Sequence, residues 1–165
     1  MKPTPPDWPR ISSGIYYRDA AKAIPWLCQA FGFTVRLKVE GEAGVIVHSE
    51  LEYGEGVVMV GQEEAEGAPT RYGRRRCSPL SAGANTQGLM VYVDDVETHC
   101  ARAKSQGAKV YRELSVSDYG AEYWSDRAYG AQDLEGHRWW FTQRIATGNP
   151  AWSKVRNKID QSEHG

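Results

Sequence analysis

One order of elements occurs twice in this chain: a strand, a helix, then three strands. In the first half, Arg10 to Tyr17 alternates and is rich in β-formers, so it reads as a strand. Asp19 is placed as a helix N-cap, and Ala20, Ala23, Ile24, Leu27 and Phe31 follow at helical spacing up to Gly32. Pro25 lacks the N–H that bonds back to Ala21, so this helix is expected to kink, or to be regular only from about Ile24. Strands are predicted over Thr34–Glu40, Val45–Tyr53 and Val57–Gln62, with turns at Gly41–Gly44 and Gly54–Gly56. The second half repeats the order: strand Gly88–Val93, an Asp95-capped helix with Val96, Cys100 and Ala103 ending at Gly107, then strands Lys109–Glu113, Arg127–Gln132 and Arg138–Thr142. Placing Asp19 over Asp95 pairs Ile15 with Val91 and Tyr16 with Tyr92. Such a duplication implies two small sheets, each with one face under its helix and the other face free to line something. The predicted organisation is an extended arm over residues 1–9 and one domain over 10–143, followed by a polar tail over 144–165. The domain divides into module one (10–62), a linker (63–87) holding Arg71, Arg74, Arg75 and Arg76, and module two (88–143).

Composition narrows the function. Lys plus Arg is 20 against 21 for Asp plus Glu, a net charge of −1, which disfavours nucleic acid as a partner. No apolar run approaches the ~20 residues of a membrane span, so no membrane partner is expected. The start, with four prolines in its first nine residues, has no apolar signal segment. Cys28, Cys77 and Cys100 are odd in number and show no CxxC spacing, which points to a reducing, cytoplasmic setting. The aromatic residues are skewed, with Trp 6 and Tyr 9 against Phe 3. Rings with an apolar body and a polar tip suit half-wet cavities.

Several segments resemble the glyoxalase/bleomycin-resistance proteins of the vicinal oxygen chelate superfamily. They are Tyr92-Val93-Asp94-Asp95-Val96-Glu97-Thr98-His99, Ala103 to Ala108, and Tyr129 to Trp139 with its Asp133-Leu134-Glu135-Gly136-His137 run. Tyr17-Arg18-Asp19, Ala30-Phe31-Gly32-Phe33, Val47-His48-Ser49-Glu50-Leu51 and Val58-Met59-Val60-Gly61 extend the likeness over residues 10–143. The resemblance implies an α+β fold in which two βαβββ modules form a curved mixed sheet around a concave cleft, commonly in a homodimer. Metal-using relatives place one ligand on each of four strands. Carried over, those positions fall at Ser12, Met59, Gly88 and Trp140. Thioether, glycine and indole do not replace the imidazole, carboxylate or amide oxygen that divalent metals need there, so no metal and no cofactor is expected.

Strand alternation places Ser12, Gly14 and Tyr16 on one face with Met59, and Met90 and Tyr92 with Trp140 and Arg138. These, with His48 and Glu50, are the candidate ligand-binding residues: Ser12, Tyr16, His48, Glu50, Met59, Met90, Tyr92 and Trp140. Ile15, Tyr17, Val91, Val93, Trp139 and Phe141 take the opposite face, beneath the helices. On the third strand Val45, Val47 and Leu51 are assigned to the core, and Ile46, His48, Glu50 and Glu52 to the cleft. His48 and Glu50 are the one pair suited to acid–base chemistry, and so the weak catalytic candidates. His137 is expected to be a structural turn residue and His99 to be partly exposed on its helix. Arg127 is expected in a surface pair with Asp126 or Glu122, and Trp152 is read as an anchor of the tail. Three functions follow. The first is a metal-free homodimer binding a small aromatic or apolar molecule. The second is a lyase or isomerase using His48 and Glu50, and the third is a dimeric protein-interaction module.

Overall fold

The computed structural model describes residues 2–69, 73–121 and 123–148. The duplicated order is present. Module one comprises β1 (Ser13–Tyr17), α1 (Ala20–Phe31), β2 (Thr34–Glu40), β3 (Ile46–Tyr53) and β4 (Gly56–Gln62). A short helix α2 (Pro79–Ala82) precedes β5 (Gly88–Tyr92), α3 (Val96–Ser105), β6 (Lys109–Asp118), β7 (Trp124–Gln132) and β8 (Arg138–Thr147). Each module is a four-stranded sheet, in the orders β1-β4-β3-β2 and β5-β8-β7-β6. The first strand of each lies parallel to the last, and the other pairs are antiparallel. The registers correspond: Gly14 faces Met59 in one sheet, and Met90 faces Trp140 in the other. The fold is α+β, as expected.

The differences from the sequence reading have local causes. Helix α1 is continuous from Ala20 despite Pro25, because the Asp19 carboxylate accepts from the Lys22 N–H at 2.9 Å and the Asp19 carbonyl from the Ala23 N–H at 3.0 Å. The first turn is therefore fixed before proline removes a donor. The strands of module two run longer than predicted. Trp124 pairs with Thr147 and Ser125 with Ala146, so residues 144–147 belong to β8 and not to a tail. Both faces there are wet enough to hide the alternation. On β3 the expected faces of the first residues are exchanged: Ile46 is buried, while Val45 and Val47 are exposed. Opposite Val39 and Glu40 the strand steps from His48 to Ile46, and this one-residue bulge at Val47 inverts the faces beyond it. The linker is strapped down, with Glu63 paired to Arg75 at 3.5 Å and Glu64 to Arg76 at 2.7 Å. Near the N-terminus, the Trp8 N–H donates to the Pro5 carbonyl at 3.2 Å, so the arm is turned and not straight. Arg71, Glu122, Trp152 and His164 lie outside the described residues.

The two modules share one core on their helix sides. Phe31, the last residue of α1, packs against Trp139 and Phe141 of β8 with ring centroids 5.5 and 4.7 Å away. Ile15, Tyr17, Val93, Trp139 and Phe141 are buried there, as the alternation predicted. Across this core the buried Asp133 carboxylate accepts from the Tyr17 O–H at 2.5 Å and the Trp139 indole N–H at 2.9 Å. Its other oxygen accepts from the backbone N–H groups of Glu135 and His137. Burial, then the charge of Asp133, pushes the Tyr17 hydroxyl well above the usual tyrosine range. Glu135 accepts from the Arg18 and Asp19 N–H groups, tying the start of α1 to module two. Two glutamines repeat the same device: Gln62 accepts from the Ala20 N–H and Gln143 from the Val96 N–H, each at the first residue of its module's helix.

His99 is buried, contrary to expectation. It turns into the layer between α3 and the core. The Phe31 carbonyl can only accept, so Nε2–H donates to it at 2.9 Å and Nδ1 accepts from the Tyr129 hydroxyl at 2.7 Å. His137 is the structural turn residue expected, with Nε2 donating to the Tyr16 carbonyl at 3.0 Å.

Asp133→Asn should destabilise the fold by about 2 kcal/mol in urea unfolding, because an amide cannot accept all four donors. Burial holds His99 at a pKa of about 4, below its ordinary 6.5. The unfolded chain therefore binds the extra proton, so His99's contribution is full above about pH 6.5 and is lost as the pH falls toward 4. Unfolding midpoints measured between pH 7 and pH 4 should fall less steeply for His99→Gln than for the parent protein.

Candidate functional site

The open face of module one is built from glycines and one tyrosine. Tyr16 lies along Gly14 and Gly61, and a Cβ on Gly61 would stand 3.2 Å from its ring. Met59 sits between them in register with Gly14. The Arg76 guanidinium is 5.1 Å from the Tyr16 ring centroid and is held there by its pair with Glu64. Next to Met59, on β3, Glu50 is buried. Its carboxylate has the His48 Nε2 at 3.0 Å on one oxygen and the Arg36 Nε at 3.4 Å on the other. Arg36 reaches Glu50 because β2 carries a bulge, so that Arg36 and Leu37 together oppose Glu50. His48 and Glu50 thus point the same way, as their spacing on one strand requires.

Module two repeats the geometry with other side chains. Arg138, Trp140 and Thr142 of β8 share the open face with Gly88, Met90 and Tyr92 of β5. A bulge between Val110 and Arg112 sets Tyr111 and Arg112 opposite the single residue Gly130. The Tyr111 ring covers Gly130 so closely that a Cβ there would approach to 2.6 Å. Arg112 stacks on Trp140 with its guanidinium 4.7 Å from the ring centroid, and Arg138 on Tyr111 at 5.2 Å. Farther along, Arg144 pairs with Asp126, donates to the Tyr92 hydroxyl at 2.7 Å and stacks on Trp124. Tyr111 and Arg112 were missed by the sequence reading, which treated β6 as a regular strand. The available signal was Gly130, a glycine in mid-strand beside an aromatic edge strand.

The candidate residues fall into separate places. Tyr16, Met59, His48 and Glu50 lie on sheet one, and Met90, Tyr92 and Trp140 on sheet two. Ser12 joins Met90 and Tyr92 in lining a crevice of about 840 Å³ between the modules, together with Phe33 and Tyr53. Met90 and Trp140 also line a hollow of about 460 Å³ with Tyr111 and Arg138. The four positions implied for a metal, Ser12, Met59, Gly88 and Trp140, offer one hydroxyl, a thioether, no side chain and an indole. At the fourth, the Arg112 cation covers the ring. This donor set does not fit a divalent metal. Among the described residues there is no group of three or more His, Cys, Asp or Glu that could hold a metal ion. Arg127 pairs with Glu97 of α3, not with Asp126, because it points to the helix side of β7 while Asp126 faces Arg144. Cys100 is buried, while Cys28 and Cys77 are half-buried. No described helix is long and apolar enough to cross a membrane.

Residues 10–141 match the family model described as Glyoxalase/Bleomycin resistance protein/Dioxygenase superfamily. The crystal structure of TioX from Micromonospora sp. ML1 is 30% identical, with a TM-score of 0.60 over 82% of this chain and 95% of that one. A glyoxalase/bleomycin resistance protein/dioxygenase family enzyme from Burkholderia phytofirmans PsJN shares the fold at 14% identity. Its TM-score is 0.57, over 81% of this chain and 97% of that one. An uncharacterized protein of Mycobacterium tuberculosis H37Rv is 28% identical over 141 residues, covering 86% of this chain and 78% of its own length.

Gly130→Ala should lift Tyr111 from its seat and separate it from Arg138. The expected outcome is a loss of about 1–2 kcal/mol in unfolding free energy, with a changed near-ultraviolet dichroism of the aromatic rings.

Proposed function

Because the chain belongs to the Glyoxalase/Bleomycin resistance protein/Dioxygenase superfamily, we propose that it is a binding member of that family, working without a metal and holding a small flat molecule on its open sheet faces. The observation that carries this reading is Trp140. It stands where metal-using relatives carry a ligand, and the Arg112 guanidinium stacks on it. An indole with a cation above it repels a divalent ion and offers a flat, polarisable surface to an organic molecule. Met90 and Met59 add adaptable apolar contact, and Gly88, with open space where a Cβ would stand, leaves room.

A homodimer is part of the reading. The helix sides of both modules are already buried against one another, while the open faces keep exposed apolar side chains among the described residues. Met90 and Tyr92, on the edge strand β5, are 61% and 47% exposed. A second copy set against them encloses a ligand and excludes water. The three thiols, none in a disulfide, suit a reducing compartment.

A second reading rests on His48 and Glu50. Their 3.0 Å contact is the geometry of a histidine oriented by a carboxylate, which suits proton transfer to and from a ligand. Arg36 on the other carboxylate oxygen weakens it, since Glu50 is then engaged by a structural cation as well as by the imidazole.

Elemental analysis of purified protein should find no stoichiometric divalent metal, and a chelator should leave the unfolding temperature unchanged. A panel of flat aromatic compounds should contain some that raise that temperature, and Trp140→Ala should abolish the rise. One tightly held metal per chain overturns the proposal. Loss of a measured turnover in His48→Ala, with ligand binding retained, moves the assignment to the second reading.

A further inference from the structure

The two open faces treat the same bulge differently. In module one the bulged residue, Arg36, meets the carboxylate of Glu50. Gly130 stands at the corresponding place in module two: it faces Trp140 as Glu50 faces Met59. Glycine supplies no carboxylate at that place. Arg112 and Arg138 form no ion pair among the described residues, and the closest polar partner of Arg112 is the Ser115 hydroxyl at 3.4 Å. The other charged groups on this face are Lys109 at its edge and the Arg144–Asp126 pair, which neutralises itself. Arg138, its guanidinium 5.2 Å from the Tyr111 ring centroid, therefore lines the hollow of about 460 Å³ with Gly88, Met90, Tyr111 and Trp140, and Arg112 stands over the Trp140 ring at 4.7 Å. A guanidinium over a ring still presents N–H donors, and a carboxylate takes two such donors in a fork. On the same face of β8, the buried Thr142 hydroxyl has no hydrogen-bond partner among the described residues.

Resting on the binding role argued above, we propose that the open face of module two selects an organic anion: a flat aromatic carboxylate, its acid group taken by Arg138 and Arg112 and its ring set against Tyr111, Trp140 and Met90. Module one, with its arginine already neutralised, does not share this preference. Charge complementarity decides the occupant. A cation meets two unopposed guanidiniums, and a neutral ring leaves both without a counter-ion.

The test uses naphthoate, naphthamide and naphthylmethylamine, which share a ring and differ in charge, titrated into the full-length protein by tryptophan fluorescence and thermal shift at constant ionic strength. Naphthoate should bind about tenfold more tightly than the amide, and the amine weakest of all. Arg138→Gln and Arg112→Gln should each weaken naphthoate about fivefold or more and the amide by distinctly less, so that the acid-to-amide ratio falls. Both side chains are exposed, so these variants are expected to keep the parent far-ultraviolet spectrum and a single cooperative unfolding transition. Equal binding of acid and amide, still lost in Trp140→Ala, overturns the anion preference and leaves the binding role standing. Binding of none of the three overturns the anion site. It reaches the binding role only if the wider aromatic panel also fails. If the arginine variants change the oligomeric mass in light scattering and not the affinity for naphthoate, the guanidiniums serve a second copy of the chain, and the proposal falls.

Discussion

A buried carboxylate stands at the centre of the contacts that tie the two halves of this molecule together. Asp133 has four donors around it, and one of them, the Tyr17 hydroxyl, comes from the other module. A charge in an apolar core is tolerable only when it is fully coordinated, so the geometry around Asp133 admits little slack. Trp139 and Tyr17 are thereby fixed on the helix side of their strands. Because side chains alternate, Trp140 and Tyr16 are then committed to the opposite side. The identity of the residues on the open faces thus follows from a bond made on the far side of the sheet.

The fold was legible in the sequence because it is stated twice. Asp19 and Asp95 mark the helix starts, Gly32 closes α1, and the apolar periods change where the structure changes. The buried set of Ile15, Tyr17, Val93, Trp139 and Phe141 follows from alternation alone. Legibility ended where the regular periods end. The bulge at Val47 reversed Ile46, and the bulge at Tyr111 and Arg112 hid two residues of the candidate site. A bulge adds one residue to a strand and leaves almost no mark in composition. His99 was misplaced for a different reason. A histidine on a helix reads as polar, yet its two nitrogens find partners in Tyr129 and the Phe31 carbonyl, and it is buried as a neutral group.

The candidate site was legible in kind more than in arrangement. Aromatic and sulfur-bearing residues at Tyr16, Met59, Met90, Tyr92 and Trp140 were correctly placed on the faces away from the helices, but one chain distributes them over two sheets. The partners of the long cations could not be read from spacing. Arg127 crosses to Glu97, Arg76 reaches Tyr16, and Arg112 covers Trp140, each over a distance set by the tertiary fold.

The exchange of Glu50 for Gly130 at matching places has a consequence for symmetry. Two copies of one ancestral pattern ordinarily present the same surface twice. Here the backbone keeps its pseudo-symmetry while the electrical character does not, since Glu50 pairs with Arg36 in one copy and Gly130 stands at the matching place in the other. The chain is a duplicate in shape and a hetero-pair in charge. On the proposed reading, a flat anion drawn to module two meets no matching face in module one, so binding would follow the difference between Glu50 and Gly130 and not the number of modules.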